Sequence, residues 1–216
     1  MSELNSSSKD NVFINCPFDR KYKPIFNAIV FTIHDAGFVA RSSLEVVDSG
    51  PTRLTTILSI IAECTYGIHD ISRTEVGGKT KLPRFNMPFE CGLFWGSFSY
   101  GGESHKRKRI LVLDSKDYRY RASISDIAGQ DIKAHGNNPR IAIDKVRSWL
   151  SAGSKRKTIP GGTAIWNHYL LFQRELTPIL KRAGITRREL NTPEYYPDYV
   201  NFIVSWLRER EAVTRK

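Results

Sequence analysis

Hydrophobic and polar positions alternate with two different periods along residues 11–113, and this alternation predicts strands and helices in turn. Short apolar runs bounded by turn residues or charges are typical of buried strands, and they occupy residues 11–15, 38–41, 66–71 and 109–113. Apolar residues with helical spacing occupy residues 22–33, 54–64 and 86–94. Pro24 and Gly37 mark the ends of the first helix. The pattern indicates an α/β fold with a parallel sheet and right-handed crossovers.

The period changes after about residue 135, where helical spacing replaces the alternation. Three helices are predicted at residues 141–150, 166–180 and 199–207, with a basic, glycine-bearing connector at 151–162. We therefore expect three parts along the chain. They are a flexible N-terminus (1–10), an α/β core (11–135), and a basic helical appendage (136–216) that packs on the core or caps its pocket.

Composition indicates the compartment of the protein and disfavours several kinds of site. Residues 1–10 are polar and serine-rich, and the sequence contains no run of about 18 apolar residues that could span a membrane. Cys16, Cys64 and Cys91 are widely spaced and the five histidines are scattered, which disfavours a disulfide framework and a structural zinc site. We expect a cytoplasmic protein with reduced thiols, no bound metal and no membrane partner.

The net charge of +11 arises entirely from the second half of the chain. Residues 1–100 contain ten basic and ten acidic residues, whereas residues 101–216 contain 23 basic and 12 acidic residues. A basic half can attract nucleic acid, although solvated helix faces in a basic protein have the same composition. The sequence carries no nucleic-acid-binding motif, no dinucleotide-binding glycine fingerprint and no Walker A run, so a nucleic-acid partner stays open without support from a motif.

Polar residues cluster where the predicted strands end. Because the carboxyl ends of parallel strands share one edge of the sheet, loops and helix N-termini converge there and commonly bind ligands. The candidates that follow the predicted strands are Asn15, Asp19, Arg41, Arg53, Asp70, Ser72, Arg73 and Asp114. A second polar run contains Arg84, Asn86 and Glu90. We expect these side chains to gather around one pocket.

Glu90 lies about one turn into its predicted helix, between Phe89 and Cys91. A carboxylate in apolar surroundings is desolvated, which raises its pKa or requires a partner, and catalytic carboxylates are often tuned in this way. An early-turn glutamate also commonly stabilises the helix N-terminus or pairs with an arginine such as Arg84. The residues alone leave both roles open.

The segment Asn86-Met-Pro-Phe-Glu90-Cys-Gly92, placed after Asp70-Ile-Ser72 and before a strand, resembles nucleoside 2-deoxyribosyltransferases and the related TIR-like NAD glycohydrolases. In those families a Glu-x-Gly segment opens the helix before a strand, and its glutamate is catalytic. Residues 13–18, Phe-Ile-Asn-Cys-Pro-Phe, also resemble the first strand and pocket loop of bacterial TIR-like proteins. The resemblance covers about residues 11–115, and the usual Asp-x-Gly-Thr-like run of the transferases is replaced here by residues 86–89.

The resemblance implies a flavodoxin-like or TIR-like parallel sheet with a C-terminal helical appendage, a nucleotide-binding core, and cleavage of an N-glycosidic bond in NAD or a related nucleotide. Glu90 would be the catalytic carboxylate, and Asp70 or Asp114 would position the sugar or a water. NAD would then be a substrate, and no cofactor is expected. Guanidinium groups bind phosphates, and the candidates for the pyrophosphate are Arg41, Arg53, Arg73 and Arg84. The candidates for stacking on the base are Phe18 and Phe85.

The resemblance further implies a homo-oligomer, because contacts between subunits commonly complete TIR-like sites, and a role in bacterial defence against phage. Three functions therefore stay open. The first is a hydrolase or transferase acting on a nucleotide, and the second is a nucleotide-sensing module without turnover. The third is an interaction or nucleic-acid-associated protein that uses the basic half.

Overall fold

A computed structural model describes residues 8–46, 48, 50–73, 84–154 and 158–214 of this chain. Its strands are β1 (Asn11–Asn15), β2 (Val39–Arg41), β3 (Tyr66–Asp70), β4 (Arg109–Asp114) and β5 (Lys133–Ala134). Its α-helices are α1 (Lys23–Asp35), α2 (Arg53–Glu63), α3 (Asn86–Tyr100), α4 (Pro139–Gly153), α5 (Gly162–Ala183), α6 (Arg187–Leu190) and α7 (Tyr196–Thr214). Most of the N-terminus expected to be flexible, residues 1–7, lies outside the described residues.

The five strands form one sheet in the order β2-β1-β3-β4-β5, and every neighbouring pair is parallel. This is the flavodoxin-like strand order, and it confirms the predicted parallel sheet flanked by helices. The chain first winds outward from β1 to β2 and then returns across β1 to β3. The reversal leaves a crevice beyond the carboxyl ends of β1 and β3, where ligands bind in sheets of this type.

Side chains alternate between the two faces of the sheet, as the pleat of a strand requires. Val12 and Ile14 of β1 pack in the same buried cluster as α1 and α4. Phe13, between them, packs with the buried face of α2 and with Phe94 of α3. The same alternation in β3 places Ile68 in the α1 and α4 cluster and turns its neighbours to the α2 and α3 side.

Gly67 of β3 lets α3 lie close to the sheet. A Cβ atom at this position would lie 2.7 Å from the ring of Phe94 and 2.8 Å from His69 Nε2, so no larger residue fits without displacing the helix. Phe94 is completely buried and lies one turn after Glu90. Gly67 therefore helps to set the depth at which α3 carries Glu90.

Of the helices after β5, α4 packs against β4 and α1, and α5 and α7 pack on α1. Ala142, Ile143 and Val146 of α4 are fully buried in the same hydrophobic cluster as α1, so one cluster extends across the expected boundary between 135 and 136. None of the described helices is both long enough and apolar enough to cross a membrane. β5 was not predicted, because two residues that pair only with the end of β4 show no strand period.

An aromatic cluster joins α5 and α7 to α1. Phe172 of α5 is fully buried, with its ring centroid 5.4 Å from that of Phe31 of α1 and 5.6 Å from that of Trp206 of α7. Aromatic pairs at such separations add stability beyond the area that they bury. The C-terminal helices are therefore part of the main core, and their position relative to the sheet is fixed by packing.

We expect Phe172→Ala to lower the free energy of unfolding by about 3–5 kcal/mol, the usual cost of truncating a buried aromatic side chain. Tyr100→Ala is the control, because Tyr100 is 92% exposed and its removal should change stability by at most about 0.5 kcal/mol. Denaturant unfolding should show one cooperative transition in all three proteins. A separate transition for residues 158–214 would contradict the shared core.

Candidate functional site

A cleft of about 600 Å³ opens at the carboxyl end of β1. It lies between the loop after β1, the loop after β2, and the first turns of α2 and α3. Its volume falls within the range of small-molecule sites. Seven of the predicted site residues line it, namely Asn15, Phe18, Arg53, Arg84, Phe85, Asn86 and Glu90.

Asn15 connects the end of β1 to the start of α3. Its side-chain amide donates a hydrogen bond of 2.7 Å to the carbonyl oxygen of Met87 and one of 3.1 Å to His69 Nδ1. Burial lowers the pKa of His69 to about 3, so the imidazole is neutral and its Nδ1 accepts this bond. Asn15 thereby fixes the first turn of α3, and with it the direction in which Glu90 projects.

Glu90 is a buried residue whose carboxylate has no partner in the part of the chain that the structure describes. The residue is 7% exposed, and among the described residues it makes neither a hydrogen bond nor an ion pair. Burial raises its pKa, and the positive charge of Arg53 partly offsets this effect. The alternative roles of helix cap or partner of Arg84 have no contact to support them, because Phe85 occupies the N-cap position and no side chain caps α3.

Two arginines line the Glu90 cleft. Arg53, the first residue of α2, donates a hydrogen bond from Nη2 to Ser43 Oγ at 3.2 Å, and Arg84, just before α3, also lines the cleft. The uncapped N-terminus of α3 adds the positive end of a helix dipole. Two guanidinium groups and a helix N-terminus together favour an anionic ligand such as a phosphate.

Asp70 lies outside the Glu90 cleft, although it was predicted to share it. It is fully buried, and its Oδ2 accepts hydrogen bonds from Tyr22 Oη at 2.6 Å and His135 Nε2 at 2.9 Å. The Ser72 backbone N–H donates to its Oδ1 at 2.9 Å. Because Asp70 follows His69 in an alternating strand, it faces α1 whereas His69 faces α3. We therefore assign Asp70 a structural role and not a place in the reaction.

Two predicted phosphate-binding arginines are already paired with carboxylates. Arg41 forms ion pairs with Glu45 at 2.6 Å and with Glu63 at 2.9 Å. Arg73 Nε donates to Asp19 Oδ2 at 3.1 Å. Neither arginine lines the Glu90 cleft, and Asp19 does not line it either. These residues lie near the carboxyl edge of the sheet, as their positions after the strands predict, but their ion pairs hold them outside the cleft.

Asp114 and Ser72 also lie outside the Glu90 cleft. Asp114 is fully buried and forms an ion pair with Arg119 at 2.6 Å. Burial raises its pKa, and the hydrogen bond from Arg119 opposes that shift. Ser72 is buried, and its backbone N–H donates a hydrogen bond to Asp70 Oδ1. Both residues stabilise the loops that follow β3 and β4.

Beyond the seven predicted residues, the cleft is lined by Cys16, Pro17, Leu44, Met87 and Pro193. Leu44 follows β2, Cys16 follows Asn15, and Pro193 comes from the turn before α7 in the second half of the chain. Cys16 is 2% exposed, and burial raises the pKa of its thiol well above the ordinary value, so the thiol stays protonated. No feature of the sequence placed Pro193 near residues 15–18, because that contact depends on tertiary packing alone.

The comparisons with known proteins identify no relative of this chain. No family model, curated protein or solved structure matches it. Within the described part of the chain, no group of three or more histidine, cysteine, aspartate or glutamate side chains is arranged to hold a metal ion. The geometry of the Glu90 cleft is therefore the basis for assigning a function.

We expect Tyr22→Phe to destabilise the protein by about 1.5–3 kcal/mol, the usual contribution of a hydrogen bond to a charged group. The substitution removes only the hydroxyl that donates to Asp70 Oδ2. Tyr196→Phe is the matched control, because Tyr196 is equally buried but its hydroxyl makes only a 3.5 Å bond to a neutral carbonyl oxygen. It should cost at most about 1 kcal/mol. Equal losses in urea titrations would contradict the structural role of Asp70.

Proposed function

We propose that this protein cleaves the N-glycosidic bond of NAD or a related nucleotide and that Glu90 is the catalytic carboxylate. One observation carries the proposal: a buried glutamate whose carboxylate has no partner among the described residues lines a ligand-sized cleft together with two guanidinium groups. A buried charge normally has a partner, so an unpartnered one in a cleft is a candidate for ligand chemistry. The resemblance of the Glu90-x-Gly92 segment to TIR-like glycohydrolases and deoxyribosyltransferases supports the same residue.

The chemistry requires a negative group beside the ribose. As the bond between the anomeric carbon and the nicotinamide nitrogen breaks, the nitrogen takes the electron pair and leaves as a neutral base. The ribose acquires oxocarbenium character, which the Glu90 carboxylate stabilises. Water then adds to the anomeric carbon and releases one proton, giving ADP-ribose and nicotinamide. Because the pyridinium leaves as a neutral group, the reaction needs no dedicated general acid.

The other cleft residues fit the remainder of such a substrate. Arg53 and Arg84 suit the phosphate oxygens, which guanidinium binds with two parallel hydrogen bonds. Phe18 and Phe85 also line the cleft and offer rings against which a base can stack. Arg53 has a second effect, because its charge favours the ionised form of Glu90. A defence role against phage and assembly into a homo-oligomer are the biological setting that the resemblance implies for this activity.

We expect Glu90→Gln to lower kcat for nicotinamide release from NAD by at least about 100-fold, within the range that single catalytic side chains contribute. The affinity for ADP-ribose should change by less than about threefold, because glutamine keeps the shape of the side chain. Nicotinamide release followed by chromatography, together with calorimetric binding, measures both quantities. Binding of NAD by the wild type without any release would favour the nucleotide-sensing alternative.

The stability of Glu90→Gln separates lost chemistry from lost folding. Because the pKa of Glu90 is raised in the folded state, its ionisation opposes folding. The wild type therefore loses stability relative to the glutamine variant as pH rises from below the unfolded glutamate pKa of about 4.3 through the raised value. At neutral pH the variant should be at least as stable as the wild type, and a marked loss of stability would contradict the unpartnered state of Glu90.

The pH dependence of kcat provides a further prediction. Activity needs ionised Glu90, so kcat should fall as pH decreases through the raised pKa of this group. Arg53→Met removes the charge that favours ionisation, which should move this acid limb to higher pH. Arg84→Met is the control and should leave the limb in place, because Arg84 does not contribute to the shift. An acid limb that stays fixed in Arg53→Met would show that another group titrates.

A further inference from the structure

A second cavity of about 800 Å³ lies between the start of α1 and the helices α5 and α6. Phe18 lines both this second cavity and the Glu90 cleft. Phe18, Asn191 and Pro193 also line a narrow gap between the two. The two cavities therefore share a wall, and the second one is built partly by the C-terminal half of the chain.

Three basic residues line the second cavity. Arg20, Lys23 and Arg188 form no salt bridge with any described residue. Burial lowers the pKa of the Lys23 ammonium, whose Nζ lies 5.4 Å from the ring of Phe26. Asp19 is the one acidic residue on the wall of this cavity, and it is paired with Arg73. Unpaired basic groups around a concave surface favour a phosphorylated ligand.

Two side-chain amides also line the second cavity. They belong to Asn27 and Gln173, and the Gln173 side chain also forms a hydrogen bond with Tyr199. A side-chain amide carries both donors and an acceptor, so these two groups match the hydroxyl groups of a ribose or the edge of a purine.

We propose that the second cavity binds the distal nucleoside phosphate of a dinucleotide whose scissile ribose lies beside Glu90. This inference rests on the proposed glycosidase function and makes the substrate a dinucleotide, in preference to a nucleoside or a mononucleotide. The phosphates lie near Phe18, between the cations of the two cavities, and the distal ribose or base meets Asn27 and Gln173. The helices α5 and α6 then form part of the substrate site.

Binding of ADP-ribose tests the second cavity without requiring turnover. The wild type should bind ADP-ribose at least about tenfold more tightly than ribose 5-phosphate, because only the larger molecule reaches both cavities. Arg188→Ala and Lys23→Met should each weaken ADP-ribose binding about tenfold and leave ribose 5-phosphate binding unchanged. The matched controls are Arg182→Ala and Lys21→Ala, which remove exposed neighbouring cations that do not line the cavity. Calorimetry on the full chain measures each affinity.

The outcomes separate this inference from the proposed function. If ADP-ribose binds with the expected losses but NAD is not cleaved, the second cavity is supported and the glycosidase function is overturned. If NAD and nicotinamide mononucleotide are cleaved with equal KM, the glycosidase function stands and the second cavity is not a subsite. Failure of the wild type to bind ADP-ribose, or normal binding by both variants, also overturns the inference.

Discussion

The hydrogen bonds to the buried carboxylate of Asp70 hold together the loops at the carboxyl edge of the sheet. A fully buried charge is costly to desolvate, and here it is offset by donors from three separate segments: Tyr22 before α1, Ser72 after β3 and His135 after β5. Asn137 N–H donates to His135 Nδ1, which leaves Nε2 as the protonated nitrogen facing Asp70. Loss of any one donor would leave the buried carboxylate incompletely compensated, so the three segments stabilise one another's positions. Tyr22 ends the loop after β1, and this loop, which carries Phe18, is therefore held in place as well.

Two acids near the same strand ends thus have opposite environments. Asp70 accepts three hydrogen bonds, whereas Glu90 accepts none from the described residues. The pleat of β3 separates them, since it turns Asp70 towards α1 and His69 towards α3, and Asn15 then joins His69 to the first turn of α3. A buried carboxylate that accepts no hydrogen bond lowers the stability of the fold. Residues that are unfavourable for folding in this way are typical of functional sites.

The sequence was sufficient to predict β1 to β4 and all the α-helices except the short α6, because each of these elements depends on local spacing. β1, β3 and β4 have continuous apolar runs, and the helix-opening position of Glu90 follows from residues 86–94. The strand order and the face of each strand-end residue depend on pairing between distant segments. For that reason Asp70 was expected in the pocket, Arg41 and Arg73 were expected to be available, and Pro193 was not considered.

The aromatic packing of the C-terminal helices has a consequence for binding. Phe172 and Trp206 fix α5 and α7 against α1, so Arg188 and Pro193 keep a defined position relative to Phe18 and the Glu90 cleft. A site whose walls are already ordered loses less conformational entropy when a ligand binds. Core packing therefore holds Arg188 of the second half at the wall of the second cavity, beside Arg20 and Lys23 of the first half. Such an ordered wall suits the small phosphorylated ligand that we propose for the two cavities.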